Sequence, residues 1–210
     1  MQKIENIILD YGNVIFMIDF AKSQQAFTQL GISNVDKIFG HSGQIQLFDD
    51  FDKGNITSAE FRDGVRDLTK NNTLTDQEID NAWNALLIGV PEGKHELLLQ
   101  LKNNYRTFLL SNNNAIHYDY CMQHIQDKYG VEDNTGFFEH AYYSHLMGMR
   151  KPNADIFEYV LTKHDLNPKV TLFIDDSPQH LRTAESLGLH TALCTKDDPL
   201  ETLIKKWNLI

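Results

Sequence analysis

This sequence predicts an α/β fold: a parallel sheet with helices on both faces, and a helical insert after the first strand. Three observations carry that expectation. Short apolar runs alternate with helix-like patterns from about residue 92 to the end, the pattern of a three-layer α/β sheet. One further apolar run, Ile4–Leu9, stands alone near the N-terminus. Between them, residues 20 to 90 read as helix after helix with no convincing strand.

The strands are expected at Ile4–Leu9, Thr107–Leu110, Ala141–Tyr143, Val170–Ile174 and His190–Cys194. Each is short and nearly all apolar, as a strand buried on both faces should be. Helices are expected at Gly93–Asn103, Ala115–Lys128, Ala154–His164, Gln179–Leu187 and Pro199–Trp207. The insert is punctuated by Leu30-Gly31, Gly40 and Gly54, and Pro91 closes it. A first strand this short must join the later strands. Residues 1–16 and 91–210 therefore form the expected core, and 17–90 a small all-helical cap over one end of the sheet. Within the cap, "DDFDKGNITSAEF" imitates a calcium loop from Asp49 to Glu60. Phe51 and Lys53 would then occupy ligand positions, which a hard cation seeking oxygens does not accept. Thr57 with Glu60 reads instead as a capping box after a break at Gly54.

Composition excludes several classes. A hydrophobic fraction of 41% and a charged fraction of 23% suit a globular protein. A net charge of -10 disfavours a phosphate-backbone-binding surface, so no nucleic-acid partner is expected. Cys121 and Cys194 form no CxxC, which leaves two ordinary reduced thiols. Nine scattered histidines form no zinc motif. No apolar run is long enough for a signal peptide or membrane span, so the expected setting is cytoplasmic, without a membrane partner.

Ligands of open parallel sheets bind beyond the carboxyl ends of the strands. Asp10 follows the first strand; Ser111, Asn112, Asn113 and Asn114 follow the second; a loop with Lys151 follows the third; Asp175 and Asp176 follow the fourth. Three clustered carboxylates repel one another and suit a divalent cation, with Mg2+ expected. Ser111 and Lys151 suit the oxygens of a phosphoryl group, and Asp10 is placed as a carboxylate nucleophile. Phosphoryl transfer depends on such positioning and charge compensation.

These segments, "IILDYGNV", "LLSNN", "GMRKPNADIF" and "TLFIDDS", together resemble the haloacid dehalogenase superfamily in its phosphatase branch. The resemblance spans nearly the whole chain. It implies a Rossmann-like core with a helical cap and a Mg2+-dependent phosphatase that forms an aspartyl-phosphate on Asp10. It also implies phosphate contacts from Ser111, Asn112 and Lys151. The implied metal ligands are Asp10, Asp175, Asp176 and the Gly12 backbone carbonyl.

One position departs from the pattern. Phosphatases of this family usually carry a second aspartate two residues after the first, as acid and base; here Gly12 stands there. One explanation is a leaving group that needs little protonation, such as an anomeric sugar phosphate. "LDYGNVIF", "GMRKP" and "FIDDS" resemble the sugar-1-phosphatase subset, of the bacterial alpha-D-glucose-1-phosphate phosphatase type. A second is proton transfer by another group, a cap side chain or a water, with Tyr11, Asn13 and His180 nearby in sequence. A third is a phosphate-binding relative with little turnover. Dehalogenases of the superfamily also lack the second aspartate. They need no metal, and Asp175-Asp176 would then be unexplained negative charge. In the cap, Phe16, Met17, Asp19, Phe20, Phe48 and Phe51 are candidates for the pocket wall or for the cap's own core. The expected partner is a small phosphate ester, a sugar phosphate in the first instance.

Overall fold

The computed structural model describes residues 3–32 and 46–210; Gly40 lies outside them. Five strands form one sheet: β1 Asn6–Leu9, β4 Arg106–Ser111, β5 His140–Tyr143, β6 Thr171–Asp175 and β7 His190–Leu193. Their order is β5-β4-β1-β6-β7, and every pair is parallel. The chain therefore builds outward from β1 to one side, then returns to build the other. β1 is the centre, and the crevice between it and its neighbours is where a doubly wound sheet binds ligands.

Alternation along each strand creates the layers. Ile7, Leu9, Leu109, Leu172 and Ile174 point into one core with Leu98, Leu101, Leu200 and Leu203. These come from α5 Lys94–Asn104 and α10 Leu200–Lys206. Ile8, Phe108, Leu110 and Phe173 point into the other. There they meet α8 Ala154–Lys163 and α9 Pro178–Ser186. The expected strands and helices are all present, with ends moved by at most two residues, where helices fray and boundaries are soft.

The helical block comprises α1 Phe20–Gln29, α2 Gln46–Asp52, α3 Ser58–Thr69 and α4 Asp76–Asn84. Phe27, Phe51, Phe61, Val65 and Ile79 form a third apolar cluster, joined by Ile116 of α6 Ala115–Tyr129. The Thr57/Glu60 capping box starts α3, and Thr75 with Glu78 makes a second one at α4. Asp49, which a calcium loop would need, is paired with Arg150. The expectation of no strand in 20–90 is corrected at its edge. Met17–Ile18 (β2) pairs antiparallel with Leu87–Gly89 (β3). Strands of two and three residues are too short for a period of two to register in a sequence.

Candidate active site

Parallel register brings the first two carboxylates together. Leu9 of β1 pairs with Ile174 of β6, so Asp10 and Asp175 lie side by side where the strands end. Like charges so placed are costly without a cation between them. Lys151 is that cation. Its Nζ lies 2.6 Å from Asp10 Oδ1 and 2.7 Å from Asp175 Oδ2, with its side chain fully buried. Burial alone would lower the lysine pKa; the two carboxylates more than offset it, and the pKa is raised. Burial raises the Asp10 pKa, against the pull of Lys151 and with the push of Asp175 and Asp176. Asp175 is also desolvated but has further partners, Lys151 foremost and then His180, and is held low. Its Oδ1 accepts from the Ser177 N–H at 2.8 Å, and His180 Nδ1 lies 3.0 Å from both of its oxygens.

Asp176 completes the group. One carboxylate oxygen from each of Asp10, Asp175 and Asp176 falls within 4.8 Å of the others. Against three carboxylates stands one lysine, so the cluster retains net negative charge around hard oxygen donors. That donor set fits a small divalent cation. Asn13 fixes the third member. It sits at φ 55, in the left-handed region that asparagine tolerates. From there its Nδ2 donates to Asp176 Oδ2 at 2.9 Å, and its Oδ1 accepts from the Ile18 N–H at 3.1 Å. Of the acid/base candidates near Gly12, Asn13 is thus a tether for Asp176, and His180 lies against Asp175. Tyr11 is buried, and its hydroxyl pKa is driven up by that burial.

The end of β4 supplies the opposite wall. Ser111 is buried, as are Asn113 and Asn114. The Asn112 side chain is committed elsewhere. Its Nδ2 donates to the Lys151 carbonyl at 2.8 Å, and its Oδ1 accepts from the Lys151 N–H at 2.9 Å. This two-point clamp holds the backbone of the lysine that neutralises Asp10 and Asp175. The amide spans 39 positions in sequence, so nothing local in the sequence announces it.

A cavity of about 530 Å³ opens on these groups and runs under the helical block. Asp10, Gly12, Ser111 and Asp176 line it together with Phe20, Phe48, Asp52 and Trp83. Of the aromatic candidates, Phe16, Phe20 and Phe48 reach the cavity, whereas Phe51 stacks on Phe61 inside the block. Met17 belongs to β2, and Asp19 caps α1. Three further polar residues line the cavity beyond the strand-end set, Asp52, His117 and Arg150, and they gather around Asn114. Asn114 Nδ2 donates to Asp52 Oδ1 at 3.2 Å, and its Oδ1 accepts from the Trp83 indole at 3.3 Å. His117 stacks on Trp83. Arg150 pairs with Asp49 and lies 3.5 Å from Asp52. Its position beside Lys151 was the one available clue.

Known proteins resemble this chain over most of its length. A family model described as haloacid dehalogenase-like hydrolase matches residues 7–188. D-ribitol-5-phosphate phosphatase of Bacteroides thetaiotaomicron is 30% identical over 188 residues, 90% of each chain. A HAD family enzyme from the same organism, crystallised as wild-type protein with magnesium and inorganic phosphate, superposes with a TM-score of 0.85. The match has 34% identity and covers 95% of this chain and 98% of that one. A predicted HAD-like family hydrolase from Porphyromonas gingivalis gives a TM-score of 0.86 at 31% identity, covering 97% of each chain.

Proposed function

The chain belongs to the haloacid dehalogenase-like hydrolases, and we propose that it hydrolyses a small phosphate ester of a polyhydroxylated carbon chain through a phosphorylated Asp10. The observation that carries this reading is the shared Lys151 between Asp10 and Asp175, with Asp176 beside them, at the mouth of one cavity. The magnesium and phosphate held by the Bacteroides enzyme support it.

In this reading Asp10 Oδ2 attacks phosphorus while Lys151 holds Oδ1, so the lysine orients the nucleophile and offsets charge on the phosphoryl oxygens. Ser111 bonds a phosphoryl oxygen. Asn112 serves by clamping the Lys151 backbone, leaving its own main-chain N–H to the phosphate. Asp10, Asp175, Asp176 and the Gly12 carbonyl would hold Mg2+, which when bound compensates charge on the transferring group. Residues 17–90 act as a cap that excludes water and contacts the ester. The D-ribitol-5-phosphate relative acts on the phosphate of a primary alcohol, so the reading is not confined to anomeric phosphates.

Turnover of a panel of sugar and polyol phosphates tests this. Activity is expected with Mg2+, to vanish in EDTA, and to return with Mg2+. Asp10→Asn should remain folded and lose turnover, because an amide does not attack phosphorus. Full activity in EDTA, or wild-type rates in the variant, would refute the assignment.

A further inference from the structure

An alkyl leaving group needs a proton, and Gly12 cannot give one. We propose that Asp52, at the end of α2, is the general acid and base of this reaction, reaching the ester oxygen from the helical block. The inference rests on the phosphatase reading above.

Asp52 lines the same cavity as Asp10, Ser111 and Asp176. Its carboxylate is fastened to the segment that follows β4 through Asn114, and its carbonyl accepts from Ser144 Oγ at 2.5 Å. Its side chain is 21% exposed, enough to meet a ligand and too little to be an ordinary surface acid. Among the described residues that line the cavity, the other titratable groups are occupied or unsuited. Asp10 is the nucleophile, and Asp176 belongs to the carboxylate cluster. His180 lies against Asp175. The His117 ring is stacked on Trp83, with Nε2 3.1 Å from the Trp83 carbonyl and Nδ1 3.2 Å from Asn114. Burial lifts the Cys121 thiol to about 12 and drives the Tyr11 hydroxyl well above its ordinary value. Arg150 keeps its proton. Burial raises Asp52 to about 6, with Asn114 opposing. The nearby arginine pulls the other way, but its close partner is Asp49, and Asp52 stands at 3.5 Å. A carboxyl in that range passes between acid and base near neutrality.

The steps balance. As the Asp10 oxygen bonds to phosphorus and the ester P–O bond breaks, the departing oxygen takes the Asp52 proton and leaves as the alcohol. Water then attacks the phosphorus of the aspartyl-phosphate and passes a proton to the Asp52 carboxylate. Inorganic phosphate departs, and Asp10 and Asp52 return to their starting states.

The test compares kcat/KM for D-ribitol 5-phosphate and 4-nitrophenyl phosphate in wild type, Asp52→Asn and Asp52→Glu. A nitrophenolate leaves without protonation; an alkoxide does not. The alkyl-to-aryl ratio is expected to fall on the order of 10²-fold in Asp52→Asn, and to stay within several-fold of wild type in Asp52→Glu. Equal losses on both esters would make Asp52 merely structural and overturn the proposal, as would an unchanged ratio. Absence of wild-type turnover on either ester would instead remove the phosphatase reading, and this proposal with it.

Discussion

Lys151→Met replaces a fully buried ammonium with an apolar chain of similar length. In the parent, one cation lies 2.6 and 2.7 Å from two carboxylates. Asp175 is completely buried and Asp10 nearly so. Removing one partner of a buried ion pair leaves an uncompensated charge and costs about 3–5 kcal/mol. Here two carboxylates are left facing each other, so the upper half of that range applies in divalent-free buffer. At about 2–4 °C per kcal/mol for a domain of this size, the melting temperature should drop by roughly 10 °C or more. Magnesium changes the balance. A dication held by Asp10, Asp175 and Asp176 replaces the missing charge, and it binds the variant more tightly because no lysine opposes it. The assay is thermal unfolding of both proteins in EDTA and in millimolar Mg2+. The gap between them should be wide in EDTA and narrow with Mg2+, while turnover stays lost in the variant. A gap of the same size in both buffers would mean that the carboxylates do not hold the cation. A gap below about 1 kcal/mol would mean that Lys151 is not compensating buried charge.

Three further outcomes follow from the same geometry. Gly54 has φ 70, and a Cβ there would lie 2.1 Å from the His145 carbonyl oxygen, whereas Gly31, at φ 81, has open space. Gly54→Ala should therefore cost about 2 kcal/mol or more in urea unfolding and reduce turnover, and Gly31→Ala only about 1 kcal/mol; equal costs would contradict the contact between the turn after α2 and α7 Ser144–Met147, the short helix that follows β5. His95 is 3% exposed, stacked on Phe137, with a pKa lowered by burial from 6.5 to about 4. Its contribution is complete above pH 6.5 and is lost as the pH falls toward 4, because the unfolded imidazole protonates first. That loss amounts to at most about 3 kcal/mol, and His95→Phe should flatten the slope of stability against pH; an unaltered slope would show that another group carries it. A Cβ on Gly12 would sit 3.3 Å from Ile18 Cδ1 and 3.9 Å from Asp10 Oδ2. Gly12→Asp should thus fold after a small shift of Ile18 and restore alkyl phosphate turnover to Asp52→Asn, which a turnover assay on the double variant would read.

Much of the fold and of the strand-end set is legible in the sequence. Buried parallel strands are apolar on both faces, so they stand out as runs, and the polar residue that stops each run is the one presented to a ligand. That rule picks out Asp10, Ser111, Asp175 and Asp176 as candidates, and the structure places them at the strand ends. Lys151 needed the motif around it, since it arrives from a loop rather than a strand end. The less visible features share one cause: they are long-range contacts with no local pattern. The Asn112 clamp joins residues 39 apart. Asn13 reaches across 163 positions to Asp176. Asp52 is one of several acids on a short helix whose apolar residues gave the signal, and only the fold distinguishes it from Asp50, which faces solvent and bonds Asn55.

The absence of a carboxylate at position 12 and the presence of one on α2 are two sides of one charge problem. At the strand ends three carboxylates already share one lysine, and two of them are drawn together by register. A fourth at position 12 would start from a Cβ 3.9 Å from an Asp10 oxygen. A carboxyl on α2 avoids that crowd and has Arg150 for a neighbour instead. Placing the acid there also ties proton delivery to the position of the helical block. Asp52 is held by Asn114 and Ser144, both from segments that follow sheet strands. Displacing α2 would break those bonds and withdraw the proton donor together with the wall that excludes water. On the proposed mechanism, the reacting groups are therefore complete only while the block is seated against the sheet.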